Sequence, residues 1–83
     1  MENKAIIIFR MMKRKAEIDL EIPLDISAND LVQALNRSYQ LGIHTANVED
    51  CYLKSENPIA LLKGDKTLKE YGIHNGTIIS FTE

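Results

Sequence analysis

Only one cysteine, Cys51, occurs among the 83 residues, so no internal disulfide can form. Cys51 lies in an aliphatic and aromatic stretch, which suits a reduced, partly buried thiol, and no sequence signal supplies the base that a reactive thiol needs. There is no Cys-x-x-Cys, no glycine-rich phosphate loop and no nucleophile elbow. His44 and His74 stand apart, and neither joins a cysteine or carboxylate cluster at metal-ligand spacing. The row Glu17, Asp19, Glu21 suits a solvated sheet face, and the pair Glu49-Asp50 reads as loop. We therefore expect no catalytic residue, no metal and no cofactor, and a chain that is not an enzyme.

Charge of one sign is also missing. Ten basic residues face twelve acidic ones, for a formal net charge of -2. Binding a nucleic-acid backbone needs a concentrated basic stripe, so nucleic acid is excluded as a partner. The single basic cluster, Lys13-Arg14-Lys15, reads as a solvated hairpin tip. Three adjacent charges are too few to hold a membrane or a duplex firmly in salt. Long hydrophobic runs are absent near the start: the apolar residues 5–9 are too few for a signal peptide or a membrane span. The expectation is a cytoplasmic protein without direct membrane insertion.

What is present suffices for a core. Hydrophobic residues make up 45% of the chain and charged ones 27%, a balance that disordered chains do not show. The length predicts one domain spanning residues 1–83, although so small a body buries a modest share of its surface.

The hydrophobic periodicity orders the elements. Residues 5–9, Ala-Ile-Ile-Ile-Phe, predict a strand, with either Ile6 and Ile8 or Ile7 and Phe9 facing inward. In residues 16–22, Glu17, Asp19 and Glu21 alternate with Ile18, Leu20 and Ile22, the mark of a strand with one wet face. Residues 11–15 hold the hairpin tip, and Pro23 closes the second strand. Ser27 then caps a helix over residues 28–41, with Asp30 at the third position and Ile26 and Leu31 placed as a hydrophobic staple. Its expected apolar stripe is Leu31, Ala34, Leu35, Ser38 and Leu41 or Tyr39, with Gly42 as the left-handed residue after it. Short strands follow at 51–54 and 59–62, separated by an Asn57-Pro58 turn. Residues 67–71 predict one helical or 3₁₀ turn ended by Gly72, and residues 77–81 the last strand after an Asn75-Gly76 turn. One helix laid across one mixed sheet buries both apolar faces most economically.

The segment Thr67-Leu68-Lys69-Glu70-Tyr71-Gly72-Ile73, continued through Gly76, Ile79 and Phe81, resembles the corresponding stretch of ubiquitin and its relatives. The resemblance covers nearly the whole chain. It implies an α+β fold, the ubiquitin-like β-grasp, with a mixed four- to five-stranded sheet packed on one main helix plus a short 3₁₀ turn. The sequence ends Ser80-Phe81-Thr82-Glu83 without the Gly-Gly of conjugated relatives and sulfur carriers. The expectation is a non-conjugated module, the alternative being a modifier or sulfur carrier whose tail is missing here. In length, in its Tyr71-Gly72-Ile73-His74-Asn75-Gly76 segment and in stopping at the last strand, the chain is most similar to the YukD and EsaB type of small bacterial ubiquitin-like proteins. That likeness implies a cytosolic accessory or regulatory component of a Gram-positive type VII (ESX-like) secretion system. Its partner would be a protein, with a membrane component of the apparatus as candidate. By analogy with ubiquitin's apolar sheet patch, the candidate binding residues are Met11 or Met12, Cys51 or Tyr52, and Ile78. The pair of residues 6–9 left outside the core is a second candidate, for a partner or for a homodimer.

Overall fold

The computed structural model describes residues 3–42 and 53–81. Among the described residues, five strands and one helix follow in the order β1 (Lys4–Met11), β2 (Ala16–Pro23), α1 (Ala28–Tyr39), β3 (Leu53–Glu56), β4 (Ala60–Leu62) and β5 (Ile78–Phe81). The strands form one mixed sheet in the order β2-β1-β5-β3-β4. β1 runs antiparallel to β2 and parallel to β5, while β3 lies antiparallel to both β5 and β4. This is the α+β, ubiquitin-like β-grasp.

Period-two alternation settles which face of β1 enters the core. Ala5, Ile7, Phe9 and Met11 are buried, whereas Ile6 is 54% exposed. Pairing carries the same alternation across the sheet, since Phe9 lies beside Ile18 on one side and Ile79 on the other. Leu53 and Leu62 complete the inner face. The helix contributes Ala28, Leu31, Val32 and Leu35 to the same cluster. Each large aliphatic chain so buried contributes about 1.5–3 kcal/mol before ordering entropy is set against it.

The helix differs from its sequence expectation in two respects. Its buried stripe runs through Val32, while Ala34 and Ser38 are exposed, because the sheet meets the face centred on residues 28, 31, 32 and 35. It also ends at Tyr39, not Leu41. Gln40 takes the left-handed conformation (φ 52°) and donates its N–H to Asn36 O, which lets Leu41 turn back into the core. Gly42 is left-handed as well, at φ 80°, but outside the cap. At the other end Ser27 caps as expected, its Oγ accepting the Asp30 N–H at 3.0 Å.

The basic tip is not merely solvated. Met12 to Lys15 form the turn, and the Arg14 guanidinium donates to Tyr39 O and Gln40 O at 2.7 Å each. These are carbonyls at the end of the helix, where a cation is favoured. Of the two short strands, β3 covers Leu53–Glu56, with positions 51 and 52 outside the described residues, and β4 begins at Ala60, one residue later than expected. Residues 67–72 form the expected turn: Tyr71 N–H donates to Thr67 O at helical spacing and Gly72 N–H to Lys69 O at 3₁₀ spacing, and Ile73 N–H closes it on Leu68 O. Leu68 and Ile73 are both buried and close that end of the core.

Candidate interaction surface

The sheet face turned away from α1 carries the exposed apolar residues. Register arranges its side chains in two rows. One row runs Ile8, Ile78, Glu56, and the next runs Arg10, Ser80, Lys54, Leu61. Ser80 is small and sits between Arg10 and Lys54, so the second row dips in its middle. The result is a groove of about 510 Å³ whose lining includes Arg10, Met12, Lys54, Ile59, Leu61 and Ser80. Ile59 is 91% exposed, Leu61 50% and Met12 47%. Apolar chains therefore border a charged centre.

The charges in that centre are arranged by neighbours. Arg10 Nε donates to Glu17 at 2.7 Å, and its Nη1 reaches Glu56 at 3.5 Å. Pairs this exposed contribute about 0–1 kcal/mol to stability, so their main effect is to hold the guanidinium across the face. β3 and β4 are positioned by buried hydroxyls. Ser55 Oγ donates to Pro58 O at 2.7 Å and Thr77 Oγ1 to Asn57 O at 3.1 Å, which ties the Asn57-Pro58 turn, a cis peptide, to the start of β5. That turn carries Ile59 outward.

The sequence candidates fare differently. Met11 lies in the core at 6% exposure, because β1 continues through it and the alternation points it inward. Its neighbour Met12 is the exposed one. Ile78 is half-buried on the outer face beside Ile8. Cys51 and Tyr52 lie outside the described residues, as do His44, Glu49 and Asp50. Of the two pairs in residues 6–9, Ile6 and Ile8 stay outside the core. Ile59, Leu61 and Lys54 were not singled out from sequence. The signal was the run Ile59-Ala60-Leu61-Leu62 after a turn, in which alternation must send one pair of residues outward.

Among the described residues no group of three or more His, Cys, Asp or Glu side chains could hold a metal. His74 is exposed, with Nδ1 2.9 Å from Asn75 O. Among the described residues, no helix is long and apolar enough to cross a membrane.

Ubiquitin-like domains are among the solved structures that superpose on this chain. The carboxyl-terminal ubiquitin-like domain of mouse tubulin-specific chaperone e superposes with a TM-score of 0.72 at 14% identity, covering 95% of this chain and 84% of that one. A ubiquitin-like domain from tubulin-binding cofactor B gives 0.72 at 19% identity, with 96% and 89% covered. The ubiquitin-like domain of Plasmodium falciparum Dsk2 gives 0.60 at 17% identity, with 95% and 99% covered. At such identities the likeness concerns the fold alone. Comparison with curated proteins finds no match. Residues 6–80 match the family described as WXG100 protein secretion system (Wss), protein YukD. That span runs from the first strand to the last, and the chain accordingly belongs to the YukD family as a ubiquitin-like, secretion-associated protein.

Proposed function

We propose that this chain is a non-catalytic, non-conjugated protein-interaction module acting in the cytosol as an accessory or regulatory component of a Gram-positive type VII secretion system. The partner is a protein, with a membrane component of the apparatus as the first candidate, and it docks on the outer sheet face. The observation that carries the reading is the joint presence of the family match over residues 6–80 and an exposed apolar border at Met12, Ile59 and Leu61. Exposed Met and Ile beside a fixed Arg suit a docking patch, since adaptable and arginine side chains recur where binding energy concentrates. Ile78 forms part of the same face.

The test is affinity capture from the native host with an amino-terminally tagged chain, followed by mass spectrometry of intact bait and partners. Secretion-apparatus membrane proteins should be recovered with unmodified bait. Met12→Asp and Leu61→Asp should each lower that recovery about tenfold, as loss of one strong apolar contact does. Bait joined covalently to other proteins, or bearing a thiocarboxylate, would overturn the reading in favour of a modifier or sulfur carrier.

A further inference from the structure

β2 is the outermost strand on one side of the sheet. Apart from Ile22, which is buried, its inward residues are less covered than their partners. Ile7 and Phe9 on β1 are 1% and 0% exposed, while Leu20 and Ile18, paired with them, are only half-buried. The uncovered part opens into a second groove, about 240 Å³, between β2 and α1, whose lining includes Leu20, Ile26, Ala34, Leu35, Ser38 and Tyr39.

The polarity of the free edge follows from neighbouring hydrogen bonds. Ile6 N–H donates to Asn75 Oδ1 and Ile8 N–H to Thr77 O, on the β5 side. Residues 5, 7, 9 and 11 therefore bond towards β2, and the Leu24 N–H to Asn3 O bond fixes the same phase on the other strand. Antiparallel alternation then turns the N–H and C=O of Glu17, Asp19 and Glu21 away from β1. Pro23, next in that series, has no N–H to lose there. The three carboxylates stand on the outer face beside this edge. Glu17 is held by Arg10, but Asp19 and Glu21 pair in register with Ile8 and Ile6, and no salt bridge reaches them among the described residues.

We propose that the β2 edge and its groove form a strand-addition site for an extended protein segment in which apolar and basic side chains alternate. A strand added at the usual spacing of about 4.8 Å would bond to the outward N–H and C=O groups. Its apolar side chains would enter the groove against α1. Its alternate side chains would stand beside Asp19 and Glu21, where opposite charge is favourable and like charge is not. The same rule disfavours a second copy pairing edge to edge, because carboxylates would meet carboxylates. The site lies at the opposite end of the sheet from Ile59 and Leu61, so it stands or falls apart from the docking face proposed above.

A short synthetic peptide alternating valine and lysine, titrated into the isotope-labelled chain and followed by nuclear magnetic resonance, tests this. Saturable shifts should fall on residues 17–21 and on the helix face at residues 34–39, with slowed amide exchange at Glu17, Asp19 and Glu21. A valine–glutamate peptide should not bind. Asp19→Pro removes one outward donor without breaking a bond to β1, and should weaken binding about tenfold. Should that variant fail to fold, the pair Asp19→Lys with Glu21→Lys decides: it should release the lysine peptide and take up the glutamate one. The proposal is overturned by an absence of saturable shifts at millimolar peptide, by shifts centred on Met12, Ile59 and Leu61, or by equal binding of the two peptides.

Discussion

The Tyr71 hydroxyl donates to Lys63 O at 2.8 Å and accepts the Lys63 N–H at 3.4 Å. One side chain thereby satisfies both backbone groups of a residue that belongs to no strand. The ring is half-buried against the core, and Lys66 Nζ lies 4.7 Å from its centroid. The amphipathic character of tyrosine is used at both ends, which a phenylalanine cannot do. Tyr71→Phe should therefore cost about 1 kcal/mol in urea unfolding, the usual net value of one such bond, with the core signal unchanged. Gly72 follows at φ 84°, in the left-handed region that side chains strain, and this is why the turn stops where it does.

At the scale of elements, the turn over residues 67–72 is held by a reciprocal cap. Thr67 Oγ1 accepts the Glu70 N–H at 3.1 Å, and a Glu70 carboxylate oxygen accepts the Thr67 N–H at 2.9 Å. The Thr67 N–H, then its hydroxyl, hold the Glu70 carboxyl below its ordinary value, with Lys66 adding a little. A carboxylate depressed on folding stabilises above its unfolded value and loses that contribution as pH falls through the folded one. Amide exchange at Thr67 should thus show extra opening below the ordinary carboxylate range, and Glu70→Gln should remove that acid dependence. The hairpin, the helix cap and the closing turn were legible because alternation, a serine before an apolar stripe and Asn-Gly or Gly punctuation are local signals. The inward face of residues 5–9 was not. Both pairs are apolar, and only pairing with β2 and β5 distinguishes them. Met11 was misplaced for a related reason, since the strand runs two residues past the isoleucine and phenylalanine run that announced it. The helix stripe missed Val32, because propensity and spacing alone do not say where the sheet meets a helix. Of the residues on the proposed docking face, the sequence singled out Met12 and Ile78, whereas the outward aim of Ile59 and Leu61 needed the sheet.

For the whole molecule, Arg14 is the tie between the hairpin tip and the far end of the helix. Its two bonds to Tyr39 O and Gln40 O span 25 and 26 residues of sequence. Arg14→Ala should lower stability by about 1–2 kcal/mol and raise amide exchange around Gln40 and Leu41, while Arg14→Lys should recover only part, because a single ammonium lacks the fork that reaches two carbonyls. The central pair of the sheet has a different consequence. β1 is flanked by β5, and the Ile6 N–H to Asn75 Oδ1 bond beside it joins residues 69 positions apart. The first hairpin and the helix can organise from nearby sequence, but the middle of the sheet closes only when distant segments meet. During synthesis, Ile7 and Phe9 therefore wait, with one strand edge open, until nearly all of the residues described here have left the ribosome. Through that interval β1 keeps an unpaired edge of the kind that invites aggregation, and β5, the last strand to arrive, is the one that closes it.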